Sequence, residues 1–384
     1  MTDASNPEAA SDIDGDRLLD AVDRLHGFVE ERFWRGDFLT GPDVGIRFNS
    51  RIGRFVKSYT PLDWFTDLAY QQAQAYWLLA NWRLARVTGN PRYAGIAVAG
   101  SDEVLARQRR DGSWDYPNPE WAGRVATVEG CFAGLALLEA FRETGEGRYM
   151  DGVLAWHRCL EERVGYRRQE REDHLAVNYW ADVHTDGGGV PNNATLVAWF
   201  LASLADASGD QSFLDRVPAL LRWVLDVQLE SGELPYSLGA TEDRHRVHFL
   251  CAQYNAFEFM DLVHYRELTG DDSVLDGLAK LAGFLDSSVT DGWAARYDCS
   301  NDRIEVPYYS LAVARALVES DRLGFGTDPA RAAAMVDRVL SLQREDGGFR
   351  FYSRGNYRML TDRLDYPRPL AMILFHLVEI SEAQ

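Results

Sequence analysis

Thr88-Gly89-Asn90, Thr144-Gly145-Glu146, Ser208-Gly209-Asp210, Thr269-Gly270-Asp271 and Phe325-Gly326-Thr327 punctuate this chain at glycines spaced 56, 64, 61 and 56 residues apart. Each ends one helix-like stretch and opens another at once. A second mark follows one helix later: Gln108-Arg-Arg-Asp-Gly-Ser-Trp114, Gln228-Leu-Glu-Ser-Gly-Glu-Leu234, Thr290-Asp-Gly-Trp293 and Gln343-Arg-Glu-Asp-Gly-Gly-Phe349. Repetition at this period means one supersecondary unit copied along the chain. Between the marks apolar residues recur at helical spacing, as in Leu214, Val217, Leu221, Val224 and Leu225. The spacing predicts helices over 15–33, 67–87, 92–109, 124–143, 148–162, 192–207, 211–229, 247–268, 272–287, 306–322, 329–343 and 366–381.

These helices fall into two alternating sets. One is amphipathic and charged, such as 211–229. The other is rich in Ala, Gly and aromatics, such as 131–138 and 194–202, which suits burial on most sides. Six inner and six outer helices make an all-α (α/α)6 barrel of six helical hairpins, a single domain over 15–384. Residues 1–14, small, polar and acidic, are expected to be a disordered tail. Connections at the Gly marks are short. Those from outer to inner helix are long, and long loops in a compact domain are usually functional. Loops 110–123, 163–191, 231–246, 288–305 and 345–365 should therefore gather at one barrel end. The inner helices begin there, and their converging N-termini favour anions.

Composition narrows the functions. The chain of 384 residues has a net charge of −19, and only Lys57 and Lys280 among its 40 basic residues are not arginine. Excess acid with so little lysine resembles proteins of salt-loving archaea, and it does not suit nucleic-acid binding, which needs basic stripes. The start lacks the basic and apolar regions of a signal peptide. No apolar run reaches the roughly 18 residues that span a bilayer. The four cysteines, Cys131, Cys159, Cys251 and Cys299, have no metal-ligand spacing and read as free thiols of a cytoplasmic protein.

The Gln-x-x-Asp-Gly-Ser-Trp stretch at 108–114, with its relatives at 228 and 343, resembles the repeat marks of the terpenoid-cyclase and prenyltransferase toroid. The same barrel serves six-hairpin glycosidases, unsaturated glucuronyl hydrolases and part of the glucuronyl C5-epimerases. Over residues 15–384 the chain is most similar to toroid proteins of archaeal and bacterial surface-polysaccharide pathways, among them a component of haloarchaeal N-glycosylation. The resemblance implies a glycan or lipid-linked sugar as substrate, with peripheral association to a membrane glycosylation machinery.

Two segments carry the candidate chemistry. In 111–129, Asp115 and Tyr116 sit beside Trp114, and Trp121, Arg124 and Glu129 lead into the next inner helix. Aromatic plates bind sugar faces and Arg binds a carboxylate as a fork. The competing reading is a barrel plug with a helix-capping Asp. In 178–193, Asp182, His184 and Asp186 alternate, so an extended strand would project all three to one face. Asn192 and Asn193 open the following inner helix, either as ligands or as caps. Tyr254, Asn255, Tyr308, Arg358 and Arg368 complete the expected lining. Asp182, Asp115, Tyr116 and His184 are the expected catalytic set. Neither a metal nor a cofactor is expected: there is no P-loop, no dinucleotide fingerprint, and no second His or Cys at motif spacing to 182–186. The reading is an enzyme acting on a uronic-acid-containing glycan by epimerisation, β-elimination or hydrolysis. A non-catalytic glycan- or partner-binding toroid and a terpenoid-cyclase or prenyltransferase-like enzyme stand beside it, though the acid motif and zinc ligands of the latter are missing.

Overall fold

A computed structural model describes residues 13–44, 67–182, 189–239, 246–353 and 364–383. Of the expected tail, residues 1–12 lie outside the described residues, and Asp14 accepts a hydrogen bond from the Arg17 amide as N-cap of the first helix. Twelve α-helices follow among the described residues. They are α1 (Gly15–Phe33), α2 (Gln71–Thr88), α3 (Pro91–Ala106), α4 (Thr127–Thr144), α5 (Gly147–Cys159), α6 (Pro191–Ser208), α7 (Val217–Asp226), α8 (Cys251–Thr269), α9 (Leu275–Ser287), α10 (Pro307–Arg322), α11 (Pro329–Leu340) and α12 (Pro367–Glu382). Helices α2, α4, α6, α8, α10 and α12 pack side by side in a closed inner ring, α12 returning to α2. Helices α3, α5, α7, α9 and α11 each pack outside the inner helix before them, and α1 packs outside α12. The fold is an α/α toroid.

The sequence marks have a direct physical basis. At the first four Gly marks the glycine is left-handed, at φ 66° to 73°, and ends an inner helix. The hydroxyl before it donates to the carbonyl four residues back and accepts the amide two residues on. Thr88, for example, donates to Leu84 O at 2.6 Å and accepts from Asn90 N at 3.2 Å. Asn90, Asp210 and Asp271 then cap the next helix or helical turn. The fifth break departs from this: α10 ends at Arg322, before Gly324 and Gly326, both left-handed.

The second mark is a clamp between repeats. Gln108 Nε2 donates to its own loop at Gly112 O (2.9 Å) and to the next outer helix at Gly152 O (2.8 Å). Gln228 does the same to Gly232 O (2.9 Å) and Gly277 O (3.0 Å). Gln343 bonds Gly347 O and, across the ring, Ala21 O of α1, both at 2.9 Å. The glycine of each mark lies against that next helix. A Cβ on Gly232 would sit 2.1 Å from Lys280 O, at φ +88°.

Loops from outer to inner helices meet at one end through bridges between neighbours, Ala126 with Trp180 and Gly189 with Leu238, while Gly41 with Leu68 closes the first such loop on itself. A short antiparallel hairpin, β1 (Tyr166–Arg168) with β2 (Leu175–Val177), also lies in this layer. Three expectations change. Outer helix 211–229 is a 3-10 turn, Gln211–Leu214, followed by α7, because Pro218 has no N–H to continue a helix through it. Asp182 is not extended but left-handed, φ 56°, so it does not start an alternating strand; His184 and Asp186 lie outside the described residues. Cys131 and Cys159 are buried thiols, but Cys251 and Cys299 are joined by a disulfide. Spacing along the chain does not report a contact made between the start of α8 and the loop after α9.

Candidate active site

The inner ring encloses a cavity that opens at the loop end. All six inner helices contribute residues from their first turn: Gln72, Glu129, Asn192 and Asn193, Gln253 and Tyr254, Tyr308, and Arg368. Tyr116, Tyr179 and Tyr236 of the loops complete the mouth. Position at the helix starts thus gathers Glu129, Asn192, Asn193, Tyr254, Tyr308 and Arg368 around one space, and a loop brings Tyr116 to it.

Glu129 is the chemically distinctive group. It is 1% exposed, and its Oε2 accepts the Gln71 amide at 2.5 Å, with the Gln72 amide also donating. The carboxyl therefore covers the N-terminus of the neighbouring inner helix, where partial positive charge favours it. Burial is the larger influence. It pushes the Glu129 pKa up to about 7, against the opposing pull of Arg368 and the two amides.

Arg368 is positioned rather than loose. Its Nε and Nη2 bond both oxygens of Asp43 at 2.8 and 2.9 Å, and Nη1 bonds Gln72 Oε1 at 3.0 Å. Its guanidinium also lies 4.6 Å from the Tyr70 ring centre. Above it, Tyr116 packs edge-on against Tyr70 and Trp180, and Trp121, 39% exposed, packs against both Tyr116 and Trp180. Arg124 stacks over Trp180 at 5.4 Å. The rim is a shelf of aromatic faces.

Deeper on the same helices lie Asp261, His264, His376 and Glu379. Asp261 accepts the Thr195 hydroxyl at 2.8 Å, and burial raises its pKa well above the usual carboxylate range. Both ring nitrogens of His376 are buried with no hydrogen-bond partner among the described residues. Glu379 ends the cavity, with Arg83 at 3.0 Å, Arg315 at 3.5 Å, His376 at 3.7 Å and His264 at 3.8 Å. Burial opposes its charge, but Arg315 and Arg83 outweigh burial and hold it well below its ordinary value.

The remaining expected residues lie elsewhere. Trp114 is buried behind the ring, donating to Val104 O at 2.8 Å and packing on Trp156. Asp115 and Asp182 are on the surface, with side chains 66% and 59% exposed, paired to Arg109 and Arg163. Neither is walled in by tryptophans, because the walls that flank them in sequence turn inward while the carboxylates turn to solvent. Asn255 does not line the cavity; it holds the backbone of Leu234 on both sides, at 2.7 and 3.0 Å. His184 and Arg358 lie outside the described residues. Asp43, Asp261, His264 and Glu379 were not expected. The available signal was charge on an inner apolar helix, at i and i+3 in both Asp261–His264 and His376–Glu379.

No protein-family model matches the chain, and no curated protein matches it. Solved structures do. A possible member of the GH105 family from Salmonella enterica subsp. enterica serovar Paratyphi A aligns with TM-score 0.69 at 12% identity, over 100% of this chain and 99% of the other. A cellobiose 2-epimerase from Bacillus thermoamylovorans aligns at 0.69 and 14%, over 94% and 99%. The GH76A alpha-1,6-mannanase from Salegentibacter sp. HEL1_6 aligns at 0.65 and 12%, over 96% and 100%. At such identities the likeness carries the fold. No helix among the described residues is long and apolar enough to cross a membrane.

Proposed function

We propose that the chain is a glycan-processing enzyme that works by acid–base chemistry in the axial cavity, on a uronic-acid-containing glycan or its lipid-linked precursor. The observation that carries this reading is Glu129, a buried carboxyl with a pKa pushed up to about 7 at the cavity mouth. A group so placed exchanges a proton near neutral pH, where general acid–base catalysis is most effective. The aromatic shelf of Tyr116, Trp121 and Trp180 offers flat faces to a sugar ring. The six helix N-termini and the fixed Arg368 favour a carboxylate at the mouth. Asp43 is engaged by Arg368 in a two-pronged ion pair, which leaves Glu129 as the proton carrier there. One such carboxyl suits proton transfer at carbon: removal of the C5 proton in epimerisation or elimination, or protonation of an unsaturated uronate. That the fold is shared with proteins named as glycoside hydrolases, an epimerase and a polysaccharide lyase supports the class.

A second reading rests on the cavity floor. His264 and His376 both flank Glu379, and two imidazoles suit proton exchange on a neutral sugar. One experiment separates the readings. Uronate and neutral oligosaccharides are incubated with the protein in deuterated water and analysed by NMR. Deuterium at C5 of a uronate, or an unsaturated uronate consumed with deuterium uptake, supports the proposal. Deuterium at C2 of a neutral sugar selects the second reading. Binding of a uronate glycan without turnover makes the protein a binding toroid and overturns both.

A further inference from the structure

A cluster of soft and hard metal donors stands beside the cavity, and the chemistry above does not use it. Glu233, in the loop after α7, is 1% exposed. Cys251 is the first residue of α8, and Cys299 lies in the loop after α9. One carboxylate oxygen and the two sulfurs lie within 4.8 Å of one another, and Cys299 Sγ is 3.4 Å from Glu233 Oε1. His248 Nδ1 is 2.8 Å from the other oxygen, Oε2. Zinc bonds of about 2.0–2.3 Å in a tetrahedron place ligand atoms roughly 3–4 Å apart, so Glu233, Cys251 and Cys299 need only small adjustments to share an ion, and the exposed His248 ring, held at Glu233 but outside the cluster, would swing in to complete it.

The frame around the cluster is built. Asn255, one turn along α8 from Cys251, grips both backbone groups of Leu234 and so fixes Glu233 next to Cys251. The loop holding Cys299 closes on itself through Tyr297 N to Asn301 O at 2.9 Å and Ser300 N to Asp298 Oδ1 at 3.0 Å. Further down the same face of α8, at i+7 from Cys251, both oxygens of buried Glu258 lack a hydrogen-bond partner among the described residues.

We propose that the reduced chain binds one Zn²⁺ through Cys251 Sγ, Cys299 Sγ and Glu233, with His248 as the fourth donor, and that the Cys251–Cys299 disulfide is the metal-free alternative. Opening the disulfide takes two electrons and two protons from an external dithiol, which leaves as its own disulfide. Zinc then replaces the two thiol protons, which pass to solvent. The ion ties together the loops after α7 and α9 and the start of α8. Tyr236 and Tyr254 of the cavity wall are within three residues of its ligands, so it acts as a structural brace for that wall.

The test is anaerobic titration of the reduced, chelator-treated full chain with Co²⁺, followed by displacement with Zn²⁺. The expected result is one equivalent of cobalt per chain with thiolate-to-metal charge-transfer absorption and strong tetrahedral ligand-field bands. Cys299→Ser should weaken binding by a hundredfold or more and lose most of the charge-transfer intensity, and oxidation to the disulfide should abolish binding. Circular dichroism checks the fold of the variant. If that variant does not fold, alkylation of the wild type decides: zinc should protect Cys251 and Cys299 at least tenfold, and Glu233→Gln should reduce the protection. A reduced wild-type chain with no thiolate–cobalt absorption overturns the proposal. So does an unchanged spectrum in Cys299→Ser, or alkylation that zinc does not slow.

Discussion

Glu129 links function and stability through one proton. In the acid/base role proposed for it, Glu129→Gln should lower turnover at least about a hundredfold, the low end of a general acid–base contribution. The wild-type rate should show a limb near pH 7 that the variant lacks, read from a pH–rate profile. The same residue makes a stability prediction. Its folded pKa of about 7 lies above the 4.5 of an ordinary glutamate, so the folded state holds the proton more tightly. The stabilisation is complete below about pH 4.5, is lost as pH rises to about 7, and stays lost above. The loss is on the order of 3 kcal/mol at most. Thermal melts of Glu129→Gln should fall less than wild type between pH 5 and 8; parallel curves would remove the raised pKa. By contrast, Asp115→Asn and Asp182→Asn should leave turnover within a few-fold, since each carboxylate is at the surface in an exposed ion pair. Those two aspartates show where sequence reading stopped. A carboxylate beside a tryptophan looks the same whether it faces the cavity or water, whereas Glu129 and Arg368 were legible from their place at inner-helix starts. Asp43 was not, because its partner Arg368 is 325 residues away.

Within the elements, the repeat marks were legible because their physics is local and copied. A Gln at a fixed distance before a left-handed Gly makes two bonds at three places in the ring. Gln228→Ala leaves two carbonyls without their donor and should destabilise the fold by about 1–3 kcal/mol in urea unfolding. Gly232→Ala should cost more, about 3 kcal/mol or above, since it adds both a left-handed strain and a contact at 2.1 Å with Lys280 O. If Gly232→Ala proves as stable as wild type, the close seating of the loop on α9 is wrong. The loops themselves were poorly legible. Their bridges, such as Ala126 with Trp180, pair segments of neighbouring repeats, and nothing in either segment specifies the partner.

Across the whole molecule, charge and closure dominate. With a net charge of −19, self-repulsion acts over the surface and salt screens it, the Debye length falling from about 10 Å at 0.1 M to about 3 Å at 1 M. Surface ion pairs such as Arg216–Glu161 are weakened by the same salt, but each contributes little. The melting temperature should therefore rise between 0.1 and 1 M KCl; a fall would mean that the ion pairs outweigh the repulsion. Closure follows from α1 packing on α12, with Gln343 bonded to Ala21. During synthesis, α1 leaves the ribosome with its apolar face complete and its partner not yet made. The chain between Phe33 and Pro367 takes roughly 20–70 s to translate at about 5–20 residues per second. For that interval the face of α1 that meets α12 is uncovered, although His26 can already pack on Trp77 of α2 and Tyr93 of α3. The growing chain thus has a long window in which a chaperone, or the open edge of another unfinished copy, can occupy the place reserved for α12.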